Sequence, residues 1–178
     1  MAEAIELPAV DLPIDPYLLG AWLGDGNSNG GGLTGLDCEV WEQFEKAGFL
    51  VTHSVSDNRH HYVKRFVGLL KENNLYKNKH IPAQYLRGSI VQRLALLEGL
   101  MDTDGTCDKD GSVSFTNTNK NLADGVFELA SSLGWKAFRT EKYPKCKGKI
   151  CKKAYFIKFT PGRIVFRIKR KAERQKLE

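Results

Sequence analysis

Two aspartates, Asp25 and Asp104, occupy matching and chemically awkward places. The run Leu97-Glu98-Gly99-Leu100-Met101-Asp102-Thr103-Asp104-Gly105 reads as the end of a helix. Leu18-Leu19-Gly20-Ala21-Trp22-Leu23-Gly24-Asp25-Gly26 reads as another. In each, small residues stand four apart, Gly20 with Gly24 and Gly99 with Thr103. Residues at that spacing share one helix face, so two such helices can meet backbone to backbone. Each then delivers a carboxylate at the end of the shared face. A helix C-terminus is already partly negative, and an acid there costs roughly 0.3–1 kcal/mol. Two acids brought together repel further. A divalent cation would reverse both penalties, and hard carboxylate and carbonyl oxygens suit Mg²⁺. A lone Asp-Gly is an ordinary turn dipeptide; the recurrence in the same helical setting is what points to a site.

Elements that could position such a pair recur in the same order. Helix signals cover Tyr17 to Trp22, Val40 to Ala47, Phe66 to Leu75, Tyr85 to Thr103 and Asn121 to Leu133. Asp37 stands where it could cap the second of these. Strand signals cover Leu33 to Gly35, Phe49 to Val55, His61 to Val67, Ser112 to Thr118, Trp135 to Tyr143 and Ile150 to Thr160. Turns are expected at Asp57-Asn58-Arg59, Asp108-Lys109-Asp110-Gly111 and Lys147-Gly148, and a basic helix from Ile164 to Lys176. The succession helix, strand, strand, helix, strand, strand, helix occurs twice. It predicts an α+β fold of two halves, 1–85 and 86–178, in one compact monomer. Two copies of this length are a duplication rather than a stacked repeat array.

Composition narrows the partner. Hydrophobic residues make up 42% and charged residues 27%, which suits a folded chain rather than a disordered one. No apolar run is long enough to span a bilayer, and no basic leader precedes the first acids, so an intracellular setting, cytoplasmic or nucleoid-associated, is expected with no membrane partner. Cys38, Cys107, Cys146 and Cys151 lack zinc-binding spacing and read as reduced thiols. The net charge is +6 and is unevenly distributed. Up to residue 50 the only base is Lys46, whereas from 136 to 171 the only acid is Glu141. That block alternates rather than forming an amphipathic helix, and it suits a polyanion such as nucleic acid.

The two helix-end runs resemble the paired motifs of the LAGLIDADG homing endonucleases. The second copy matches at Leu97, Gly99, Leu100, Asp102, Asp104 and Gly105. The first matches at Leu18, Gly20, Asp25 and Gly26 and has Leu23 where the earlier acid would stand. Lys79-His80-Ile81-Pro82, Tyr85-Leu86 and Gln92-Arg93 further resemble endonucleases resident in inteins of replicative helicases. The protein-splicing residues are not seen: Met1 stands first and Leu177-Glu178 last, which reads as such a domain excised or free-standing.

The resemblance implies two pseudo-symmetric αββαββα halves with the motif helices at their interface and two curved antiparallel sheets forming a DNA-binding saddle. It implies metal-dependent cleavage of duplex DNA at a long asymmetric target. Asp25 and Asp104 would be the metal ligands, assisted by the Gly24 and Thr103 carbonyls. Mg²⁺ would be the natural ion, with Mn²⁺ or Ca²⁺ able to substitute for binding. Lys79 would serve one scissile phosphate and Lys171 the other, with Lys169 as an alternative. Arg59, Lys64, Ser112, Ser114, Thr116, Thr118, Arg139, Lys142, Lys152 and Lys158 are candidate DNA contacts, since a polar sheet face can lie in the major groove. A non-cutting DNA-binding protein, an RNA-splicing maturase or a nickase on the same scaffold are the competing expectations.

Overall fold

A computed structural model describes residues 3–108, 111–146 and 149–177. The expected turn residues Lys109–Asp110 and Lys147–Gly148 lie outside the described residues. The helices are α1 (Pro16–Asp25), α2 (Cys38–Lys46), α3 (Phe66–Glu72), α4 (Ala83–Leu86), α5 (Ile90–Asp104), α6 (Lys120–Ser132) and α7 (Lys169–Ala172). The strands are β1 (Leu33–Thr34), β2 (Val51–His53), β3 (His60–Val63), β4 (Gly105–Cys107), β5 (Val113–Asn117), β6 (Lys136–Lys142), β7 (Lys145–Cys146), β8 (Lys149–Ile150) and β9 (Ala154–Thr160). Two antiparallel sheets result, ordered β1-β3-β2 and β4-β5-β9-β6, with β7-β8 forming a small separate ladder.

α1 and α5 form the centre. Every residue of α1 from Tyr17 to Leu23 is buried, so this helix is apolar all round and lies inside the molecule. The small residues explain how it packs. A Cβ added at Gly20 would lie 2.2 Å from the Leu96 carbonyl oxygen, and one at Gly99 would lie 2.2 Å from that of Tyr17. The two backbones therefore touch. At the far end a Cβ on Gly24 would lie 2.0 Å from Thr103 Oγ1. The glycines closing both helices also answer to space rather than handedness. Gly26 and Gly105 are extended, with φ of −70° and −80°, but a Cβ there would lie within 2.5 Å of the Trp22 or Met101 carbonyl oxygen.

Caps and clamps set where the helices begin. Pro16 opens α1, and the Asp15 carboxylate accepts the Leu18 N–H. The expected helix from Tyr85 to Thr103 is broken: α4 ends at Leu86, and Ser89 begins α5 with a reciprocal cap through Gln92. Gln92 also bonds both backbone groups of Val10, and the fully buried Arg93 holds the carbonyls of Gly88, Ser132 and Ile5. These two side chains fasten the amino-terminal segment across the body.

Other expectations shift more. The strand predicted from His61 to Val67 ends at Val63, because Arg65 turns left-handed (φ 67°) and Phe66 already belongs to α3. Asp37 sits at the start of α2 but makes no side-chain cap; its carboxylate takes Arg170 instead. The predicted basic helix from Ile164 to Lys176 is a short α7 only. Val165, Phe166 and Ile168 are buried in an irregular lead-in rather than on a helix face.

Candidate metal and nucleic-acid site

The ends of α1 and α5 bring Asp25 and Asp104 together, and their electrostatics record it. Burial raises Asp25, and the Asp104 charge raises it further, to about 6. Burial likewise raises Asp104, while a hydrogen bond from Asn117 Nδ2 (2.7 Å) and the nearby Lys79 and Lys171 work to lower it. Each helix end is met by a lysine. Lys79 Nζ donates to the Leu23 and Gly24 carbonyls, both at 3.0 Å. Lys171 Nζ donates to the carbonyls of Met101 (3.0 Å), Asp102 (2.7 Å), Thr103 (3.2 Å) and Gly105 (2.6 Å). A cation at the negative end of a helix is favourable, and here each lysine meets carbonyls of the last turn, of which that of Met101 also takes the Gly105 N–H. Desolvation holds both lysines down at about 8. Lys169, the alternative to Lys171, faces Glu173 on the surface.

The segments bearing these lysines are braced from across the molecule. Asn119, which caps α6, donates its Nδ2 to the Lys79 carbonyl at 2.8 Å. The segment of Lys171 is braced on α2: Arg170 forms a two-pronged ion pair with Asp37, both bonds at 2.6 Å, and the Lys169 N–H bonds Glu39 at 2.9 Å.

Asn117 has no counterpart among the residues expected at the site. It lies two residues beyond Phe115, the strand partner of Gly105. In the other sheet Leu33 pairs with Gly26, and two residues on stands Gly35, where a Cβ would lie 3.6 Å from Asp25 Oδ2. Asp104 thus has a side-chain donor at the position where, beside Asp25, a glycine stands. Gly35 is itself held by His61 Nε2, which donates to its carbonyl at 2.9 Å. The His61 ring is buried, stacked on Trp41, with His53 Nδ1 2.7 Å from its Nδ1. Only the recurrence of two hairpins hints at these positions, and a register cannot be read from that.

Strand register sorts the candidate DNA contacts. On the second sheet Ser114, Thr116, Lys158 and Lys142 share the face away from α6, together with Thr106, Phe138, Thr140 and Phe156. Ser112 and Thr118 flank β5 in the same alternation. Lys142 lies over the Phe156 ring at 5.4 Å, and Lys152 is exposed before β9. Arg139 departs from the set: it shares the face of Ile157, which is buried, and forms an ion pair with Asp124 of α6. On the first sheet Thr34, Thr52, His60 and Tyr62 form the corresponding face. Lys64 is exposed just past β3, and Arg59 folds back on Asp57 within its turn.

The donors fit a hard divalent cation: two carboxylates kept close by helix packing, plus helix-end carbonyls already turned toward positive charge. Among the described residues, no cluster of three or more His, Cys, Asp or Glu side chains suits a metal, so backbone, water or phosphate oxygens would have to complete any shell. No described helix is long and apolar enough to cross a membrane.

Residues 91–161 match the model of the LAGLIDADG-like domain. Over 171 residues, 96% of the chain, the sequence is 39% identical to a replicative DNA helicase DnaB of Mycobacterium intracellulare. The chain spans 28% of that protein's length. The homing endonuclease I-DmoI in complex with DNA and Ca superposes with a TM-score of 0.56 at 15% identity, covering 90% of this chain and 95% of that one. Mesophilic variants of I-DmoI give 0.53 at 18% identity, covering 83% and 88%. The second motif thus lies inside a stretch that matches a LAGLIDADG-like domain, and the chain as a whole has the fold of the homing endonuclease I-DmoI.

Proposed function

We propose that this chain is a site-specific endonuclease of the homing type, hydrolysing both strands of duplex DNA with a divalent cation held by Asp25 and Asp104. The observation that carries the reading is the doubled arrangement: two half-buried carboxylates on touching helices, each helix end met by a lysine, Lys79 half-buried and Lys171 buried. Mg²⁺ would be held by these carboxylates with the Gly24 and Thr103 carbonyls, and bound there it would activate water and stabilise the leaving oxygen. Lys79 and Lys171 would each hold positive charge beside one scissile phosphate. The polar faces of the two sheets would lie along the groove, and the two halves, 1–85 and 86–178, would let one monomer read a long asymmetric target. Identity with part of a replicative helicase supports an origin as an intein-borne endonuclease. The similarity to a nuclease solved with DNA and Mn or Ca supports the choice of substrate and ion class.

The test is cleavage of a supercoiled plasmid carrying a target selected from a random library, with Mg²⁺. Linear product is expected. Asp25→Asn or Asp104→Asn should lose linearisation by more than about a hundredfold while still shifting the target duplex. Nicked circles alone from the parent protein would mark a nickase; binding without cutting would mark a regulator.

A further inference from the structure

Asp102 is a third carboxylate at the centre, and the proposed chemistry does not use it. It is only 1% exposed. Tyr17 Oη donates to it at 2.7 Å from α1. The backbone N–H of Arg167 reaches its two oxygens at 3.0 and 3.2 Å, and that of Ile168 reaches Oδ1 at 3.2 Å. A carboxylate engaged by three donors is a clamp, and the clamped object is the irregular segment leading into α7. Three residues past Ile168, Lys171 returns its ammonium to the carbonyls of the same turn of α5. One stretch of α5 therefore grips the segment twice, by a side chain at 102 and by its carbonyls. Arg167 closes the arrangement, stacking over Tyr17 at 4.1 Å and bonding Glu98 at 2.7 Å.

The first motif has no such clamp. Leu23, fully buried, stands at the matching position, and the Lys79 segment is held through its carbonyl by Asn119. The two lysines reach equivalent helix ends by unlike devices.

We infer that Asp102 is the positioning residue for Lys171, so that the cut served by Lys171 can be weakened without weakening the cut served by Lys79. This rests on the reading of the site as a two-strand nuclease. Asp102 touches no substrate; it fixes where the Lys171 ammonium stands.

The experiment compares the parent protein, Asp102→Leu, Asp102→Asn and Lys171→Met on a duplex with each strand labelled separately. Hydrogen exchange of the 165–172 amides is followed in parallel. Leucine copies the first motif and removes the acceptors. It should slow one strand by about tenfold or more, the same strand that Lys171→Met slows, and leave the other within about twofold, with nicked duplex accumulating. The 165–172 amides should lose protection while those of 76–82 keep theirs. Asparagine keeps an oxygen for the backbone N–H groups and can still bond Tyr17, so it should restore most of the rate that leucine removes. If leucine prevents folding, Asp102→Ser supplies the same comparison. Equal slowing of both strands, or slowing of the strand opposite to that of Lys171→Met, overturns the inference. Should the parent protein cut neither strand, the functional reading is what fails. The exchange arm still decides the clamp: unchanged 165–172 protection in Asp102→Leu refutes it.

Discussion

Asp25 is held near 6 by burial and by the charge of Asp104, and this ties cation binding to pH. A cation must displace the proton, so affinity should fall about tenfold for each pH unit below about 6. Calorimetric titration with Ca²⁺ between pH 5 and 8 checks this, with Asp25→Asn expected to flatten the profile. Metal-free stability should run the other way. The folded pKa lies above the unfolded one, so the stabilisation is full below the unfolded value and is lost as pH rises through about 6. Asp102, also raised to about 6 by burial, adds to the same window. Melting in a chelator should therefore occur at higher temperature at pH 5 than at pH 7, and less so in Asp25→Asn; an identical pH dependence in the mutant refutes the assignment. The position of Asp25 and Asp104 was legible in the sequence because Asp-Gly followed a small-residue stripe twice. Asn117, Gly35 and His61 were not, since they reach the centre through strand register and hairpin geometry, which leave no local pattern.

At the scale of elements, the contact of α1 with α5 is governed by glycine. Gly20→Ala or Gly99→Ala would drive a methyl group to 2.2 Å from a backbone oxygen, and helix backbones cannot yield as side chains do. A loss of about 1–3 kcal/mol or more is expected in urea unfolding. Gly68→Ala in α3 meets nothing within 4 Å and should instead stabilise by roughly 0.5–1 kcal/mol. Equal effects at the two kinds of position would show that close approach is not what selects glycine at 20 and 99. Helical periodicity revealed α2, α5 and α6 because each buries a regular face. It misled from 164 to 176, where Val165, Phe166 and Ile168 are spaced like a helix but are buried as an irregular segment held by Asp102. The break before α5 was written in the sequence as Ser89 and Gln92, a capping signal overshadowed by the apolar run on either side.

For the whole molecule, charge and register make distinct predictions. Lys142 and Lys158 stand on the open sheet face and Lys152 is exposed beside it, whereas Arg139 is turned toward α6. Replacing the three lysines by alanine should flatten the slope of log affinity against log salt by about 0.9 for each phosphate no longer neutralised. Arg139→Ala should leave the slope unchanged. An unaltered slope in the triple mutant, measured on target and scrambled duplexes, would remove this sheet as the DNA face. Sedimentation of the complex should give one chain per duplex. The cross-bracing of the lysine segments carries a further consequence. Lys79 is steadied by the cap of α6, and the Lys171 segment by the start of α2. Each lysine segment thus takes one of its braces from a distant stretch of the chain. On the proposed two-strand chemistry, loosening α6 should free Lys79 and loosening α2 should free the Lys171 segment, so a partly folded chain should leave DNA uncut until both helices have packed.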